Sequence, residues 1–237
     1  VSDAAIAAAT GIPLNFARAI RAVESNGNPS AVRFEPHVFW KIRKGLPDDA
    51  TGPQIYAALS PAELAQVPYT PGNTDWRTAH GLAPCRISRA ASCVSAETNR
   101  AAYLRAYAVS AATAVRATSF GLYQVLGGDL LALYANDPAR AKAAFDSDPA
   151  GVSEALLVHF LNVTKVRAKE AAIAGDVPAF VHYYNGCGRA GHPEEWADSC
   201  RDYIRKFEAA LQGGGGGGIV ATFLGIGALV AAWKWLG

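Results

Sequence analysis

An aspartate stands directly before a proline at Asp137-Pro138 and again at Asp148-Pro149, and Asp176 opens a further stretch of the same kind. Proline holds φ near the helical value and lacks the N–H that a first helical turn would leave unpaired. An aspartate carboxylate can accept from the amides of that turn. The pattern therefore writes a series of helix starts into the second half of the chain. Alanine is abundant and β-branched runs are few, so a mainly α fold is expected. At the other end, residues 2–10 predict a short helix stopped by Gly11. Pro13 opens a second helix to Ser25, with Phe16, Ile20 and Val23 at helical spacing on its core face.

The run around Val32, Phe34 and Glu35 is β-prone and is interrupted by Pro36, which predicts a short strand or hairpin and then one helical turn. Residues 45–99 are rich in Pro, Gly, Thr and Asp. They predict long loops around one short helix at 61–65, where Ser60 and Glu63 have capping-box spacing. Residues 98–116 predict a helix with Tyr103, Tyr107 and Val115 inward, broken by SFGLYQVLGG and restarted at Asp129. One long amphipathic helix is expected over 149–174, and a last one over 193–211.

Six glycines at 213–218 then form a flexible linker, spanning roughly 12–14 Å as a coil. The tail beyond it carries no charge from 219 to 233. As a helix those residues reach about 22 Å, and including Lys234, Trp235 and Leu236 takes it to about 27 Å, enough to span a bilayer if Lys234 snorkels. Trp233 and Trp235 suit an interfacial belt. A buried core helix is the alternative, and the glycine hinge argues against it. The expected organisation is thus a body at 1–212, a polyglycine linker at 213–218 and a membrane-anchor helix at 219–237.

The formal net charge of +2 lacks the basic footprint of a general nucleic-acid binder. Four cysteines allow three pairings. Cys85 with Cys93, and Cys187 with Cys200, would make two local bridges in an oxidising compartment; four free thiols are the alternative. Cys187, His192 and Cys200 lack zinc-finger spacing, so no metal site is expected. The glycine run has no following Lys-Ser/Thr of a phosphate-binding loop, and no cofactor is implied.

Glu24 lies at the end of an amphipathic helix, just before the breaker cluster SNGNPS. A carboxyl at the border of core and cleft would be partly buried, which raises its pKa and keeps a proton available for a glycosidic oxygen. Position alone fits an exposed helix-terminal glutamate as well. Glu24-Ser25, then Gly121-Leu122-Tyr123-Gln124, then Tyr184-Asn185-Gly186 follow in the order that resembles the goose-type lysozyme and soluble lytic transglycosylase superfamily. More closely, Val23-Glu24-Ser25-Asn26-Gly27, Phe34-Glu35-Pro36-His37-Val38-Phe39, the run 119–127 and the run 180–186 resemble the phage N-acetylmuramidase endolysins, over about residues 1–211.

The resemblance implies a lysozyme-like body with a small β-hairpin, to which the residues add the C-terminal transmembrane-type helix. It implies an enzyme acting on bacterial peptidoglycan at the β-1,4 bond between N-acetylmuramic acid and N-acetylglucosamine, for wall degradation at phage lysis or entry. Glu24 would be the general acid. Glu35 would assist electrostatically or simply orient the hairpin. Gln124 and Asn185 would bind sugar N-acetyl and hydroxyl groups. Tyr184 would orient Glu24 or close the site, Tyr123 would stack on a sugar or sit in the core, and Ser119 would line the site or mark a helix boundary. The tail points to a membrane-anchored enzyme at the host envelope or in a membrane-containing virion, with virion components as further partners, acting on the periplasmic wall. A lytic transglycosylase on the same bond and a non-catalytic, membrane-tethered wall-binding protein are the alternatives.

Overall fold

A computed structural model of the chain describes residues 2–25, 27–72, 74–81, 99–187 and 198–213. In chain order, the first elements are α1 (Asp3–Thr10), α2 (Leu14–Ser25), β1 (Val32–Phe34), α3 (Pro36–Lys44), α4 (Gly52–Ala57), α5 (Pro61–Gln66) and α6 (Thr74–Ala79). Then come α7 (Asn99–Val109), α8 (Ala111–Arg116), β2 (Thr118–Phe120), β3 (Val125–Leu126), α9 (Gly127–Leu133) and α10 (Pro138–Ser147). The last are α11 (Pro149–His159), a π-helical turn (Phe160–Thr164), α12 (Val166–Ala174), α13 (Val177–Asn185) and α14 (Asp198–Gln212). The protein is mainly helical with one small sheet, of order β1-β2-β3. The chain passes back and forth between two compact units. Of the described residues, the first holds those within 2–31, 120–125 and 144–213, and the second those within 32–119 and 126–143.

The helix starts of the first unit follow from local chemistry. The Asp148 carboxylate accepts from the Gly151 amide, and that of Asp176 from the Ala179 amide, each at 2.9 Å and each with proline in the first turn. Ser2 caps α1 in the same way through Ala5, and left-handed Gly11 ends it. The amphipathic faces then have to be buried. α14 packs against α2 and α13, and Phe16, Phe180 and Phe207 meet there with ring centroids 5.0–5.6 Å apart. Aromatic pairs of this kind contribute about 0.5–1.5 kcal/mol each beyond their buried area. The cluster extends to Tyr184, stacked on Phe180 at 5.0 Å, and to Tyr203, stacked on Phe207 at 6.2 Å. The helix expected to run unbroken over 149–174 is interrupted by the π-turn, closed by the Lys165 amide on the Phe160 carbonyl at 2.6 Å. Val163 and Thr164, both β-branched, fall in that turn, where α-helical geometry is least favoured.

In the second unit, β1 pairs antiparallel with β2, and the Glu35 amide bonds the Ala117 carbonyl at 2.8 Å at the end of the strand. SFGLYQVLGG therefore supplies two strands as well as the break expected there, and α9 starts at Gly127, before Asp129. The helix after Pro36 has nine residues where one turn was expected. Pro36 opens it, Gly45 closes it, and Trp40 anchors it with its indole N–H on the Val67 carbonyl at 3.1 Å. The Ser60–Glu63 capping box forms as the spacing predicts. The stretch expected to be loops around it also contains α4 and α6. Thr51 and Gln54 make the same kind of box at the start of α4, so the signal for that helix was present in the sequence. Ser110, in an extended conformation, splits the expected 98–116 helix in two.

The expected transmembrane helix at 219–237 is corrected. Among the described residues no helix is long and apolar enough to cross a membrane, and the tail itself lies outside them. The physical weakness is length: its uncharged run of about 22 Å falls short of a hydrocarbon core of about 30 Å. The membrane as a partner, and a membrane-anchored location at the host envelope or in a membrane-containing virion, are withdrawn with it.

Candidate active site

Glu24 sits in the last turn of α2 and is half-buried, as is Val23 beside it. Its Oε1 accepts a hydrogen bond from the Tyr203 hydroxyl at 2.6 Å. Burial, and then the charge of Glu24, hold the Tyr203 phenol well above its ordinary range, so it stays a donor at any working pH. A carboxyl from α2 and a phenol from α14 are thus in direct contact. Asn185 is the last residue of α13.

The Gly121–Gln124 turn is held by all sides of the same unit. The Leu122 amide donates to Ser153 Oγ at 3.1 Å, and the Leu122 carbonyl accepts from Ser25 Oγ at 2.7 Å. The Tyr123 carbonyl accepts from the Tyr184 hydroxyl at 3.1 Å. The Gln124 side-chain amide closes the turn on the Gly121 carbonyl at 2.9 Å, and Gln124 itself has φ +47°. Gly121 has φ +72°, and a Cβ there would lie 1.9 Å from Ser153 Oγ. Gly121→Ala is expected to cost about 2–4 kcal/mol, from left-handed strain plus overpacking. Thermal unfolding checks this, and adding Ser153→Ala should recover part of the loss.

In the second unit, Glu35 stands at the N-cap position of α3, at 6% exposure, without a side-chain capping bond. Burial raises its pKa, against the opposing pull of Arg33 and Lys41. His37 Nε2 lies 3.5 Å from Glu35 Oε2, and burial, then Lys41 and Arg33, lower its pKa to about 4. The folded protein therefore keeps His37 neutral while the unfolded chain protonates it below about 6.5. The stability it contributes is present above pH 6.5 and is lost as pH falls toward 4. Replacing His37 with Gln should flatten that part of the melting temperature–pH profile. Ser119 is buried within β2 at 3% exposure.

Cys187 and Cys200 are joined, with Cα atoms 6.0 Å apart and both residues buried. The His182 ring contacts the Cys187 carbonyl. Cys85 and Cys93 lie outside the described residues. Among the described residues, no group of three or more His, Cys, Asp or Glu could hold a metal ion.

The sequence matches the model of the N-acetylmuramidase family over residues 13–193. The chain belongs to the N-acetylmuramidase family. It is a glycoside hydrolase of the lysozyme type, acting on peptidoglycan. Among solved structures it is similar to the Burkholderia AP3 phage endolysin, with a TM-score of 0.53 and 22% identity, covering 89% of this chain and 67% of that one. At that identity the likeness speaks for the fold. No curated protein matches the chain.

Three of the motifs that carry the family likeness converge in the first unit of this muramidase. Ser25 belongs to the first, the 121–124 turn to the second, and Tyr184 and Asn185 to the third. Two hydrogen bonds, from Ser25 and Tyr184, tie the outer motifs to the middle one. Tyr184 bonds the turn, and Tyr203 bonds Glu24. The Tyr123 ring is 1% exposed, which leaves no face for a sugar. Glu35 and Ser119 stand in the other unit. Sequence reasoning missed Tyr203, which lies beyond the 13–193 stretch. A usable signal existed: Tyr203 precedes Phe207 by four, so both lie on one face of a strongly amphipathic helix.

Proposed function

We propose that this muramidase hydrolyses the β-1,4 bond between N-acetylmuramic acid and N-acetylglucosamine, with Glu24 as general acid. The reading is carried by one observation: a half-buried carboxyl at a helix end, with one oxygen held at 2.6 Å by a phenol that does not ionise. Glu24 protonates the glycosidic oxygen as the bond breaks, and its carboxylate then takes a proton from the incoming water. The Gln124 amide nitrogen is engaged within its turn, so its carbonyl oxygen is the atom offered to an acetamido N–H. Glu35, buried and displaced toward its neutral form at the N-cap position of α3, serves the fold more than the chemistry. Residues 1–212 carry this activity.

The similarity to a phage endolysin supports a phage origin and a role in breaking the host wall at lysis or entry. Mass spectrometry of the muropeptides released from purified peptidoglycan tests the reaction. Reducing N-acetylmuramic acid ends are expected. A product set made of 1,6-anhydro ends would make the enzyme a lytic transglycosylase, in which the muramoyl 6-hydroxyl replaces water.

A further inference from the structure

We propose that Asp3 is a positioning residue for the reaction: by holding the Arg21 guanidinium against α1, it keeps that positive charge off the Glu24 carboxyl, so the acid retains the proton it delivers. The proposal rests on Glu24 being the acid and goes beyond it by assigning what protects its proton.

Arg21 stands three residues before Glu24 on α2. Residues so spaced are neighbours on a helix surface, with Cβ atoms about 5–6 Å apart, and opposite charges there attract. An arginine beside a carboxyl favours the ionised form and lowers its pKa by about 1–3. That suits a structural ion pair and defeats a general acid, which has to be protonated near its working pH. In the folded protein the guanidinium is turned to another partner: Arg21 Nη2 lies 2.8 Å from Asp3 Oδ2. Glu24 accepts from the Tyr203 phenol, a donor without charge.

Asp3 can hold the arginine because α1 fixes its own place. It is the first residue of that helix, which Ser2 caps through the Ala5 amide at 3.1 Å. Ile6, fully buried, roots the helix in the core, and α1 packs on α2 and α11. The Asp3 side chain is 8% exposed, and among the described residues its Oδ1 has no hydrogen-bond partner. Burying a carboxylate with one oxygen unsatisfied costs stability, so the fold gains little from Asp3 as a structural group. Arg21 is 39% exposed, and its long side chain can turn toward Glu24 once Asp3 lets go. Asp3, Arg21 and Glu154 of α11 all act on the Tyr123 phenol of the turn. Burial, then the Asp3 charge, hold that phenol well above its ordinary range, so it adds no charge to the place. Glu24 for its part faces Tyr203 of α14, with the Tyr184 phenol of α13 near that ring. The bland alternative is that the Asp3–Arg21 pair only fastens α1 to α2. It predicts lower stability in Asp3→Asn with the pH dependence of activity unmoved.

The experiment uses the full chain and purified peptidoglycan, with Glu24→Gln, Asp3→Asn, Arg21→Gln and the Asp3→Asn/Arg21→Gln pair, each melted beside the parent. Asp3→Asn is expected to move the basic limb of the kcat–pH profile to lower pH by about 1 or more, because the released arginine favours the ionised carboxyl. Above the limb that is about a 10-fold loss of kcat, with KM changed less than about 2-fold. Arg21→Gln alone leaves no cation to release and should not lower the limb. Removing Arg21 along with Asp3 should return the limb to its parental position, a non-additive cycle. Three results overturn the proposal: an Asp3→Asn limb that stays in place, a limb lowered by Arg21→Gln alone, or a double variant whose limb is still displaced. If Asp3→Asn does not fold, Asp3→Ser drops the same charge with less to bury and is read in its place. Glu24→Gln separates the two readings. Activity retained there removes the acid itself, whereas an inactive Glu24→Gln beside an unmoved Asp3→Asn limb sinks only the role of Asp3.

Discussion

Replacing Glu24 with glutamine is expected to lower wall lysis by about 10²–10⁴-fold, the range a positioned general acid contributes. The substitution is informative because it keeps almost everything else. Glutamine has the same length, and its carbonyl oxygen can still accept from the Tyr203 hydroxyl, so the contact that α14 makes with the end of α2 survives. What is lost is the proton that the leaving oxygen needs. The folded state should therefore melt close to the parent while clearing of a purified wall suspension slows nearly to background. Lysis at the parental rate would show that another group is the acid.

The second large effect is expected on opening the Cys187–Cys200 bridge. The two residues are 13 apart in sequence, and a loop of about that size loses roughly 3 kcal/mol when its cross-link is removed. For a protein of this length, that corresponds to a fall of about 6–12 °C in Tm. The bridge also joins the segment just past α13 to the first turn of α14, which carry Asn185 and Tyr203. Cys187→Ser and Cys200→Ser should therefore lose kcat at temperatures where the protein is still folded. Both sulfurs are buried, so a mild reductant should act slowly on the native protein and faster once a low concentration of urea lets the site open. Calorimetry alongside lysis at low temperature separates the two consequences. Unchanged activity in a folded variant would confine the bridge to stability.

Much of the local structure was legible in the residues. Asp148, Asp176 and Ser60 cap the helices their spacing predicts, because a cap acts within one turn of its own chain and depends little on what packs outside. The misreadings occurred where the outcome depends on a distant partner. The strands β2 and β3 are three and two residues long and exist only through pairing, so composition carried little sign of them. The tail at 219–237 read as a membrane span on hydropathy, although its uncharged run was short for the purpose. Tyr123 illustrates the same limit from another side. An aromatic in a family motif suits a sugar platform, and only burial at 1% exposure removes it from that role.

Chain chemistry alone was enough for the Asp- and Ser-capped helix starts, the breaks around Gly11 and Gly121, and the motifs that mark a muramidase, since each is written in a few adjacent residues. That Ser25 and Tyr184 reach the same turn, and that Tyr203 meets a carboxyl 179 residues earlier, required the folded molecule. Those contacts depend on how Phe16, Phe180 and Phe207 pack α2, α13 and α14 together. Packing of that kind is a property of three faces at once, and no single stretch of chain encodes it.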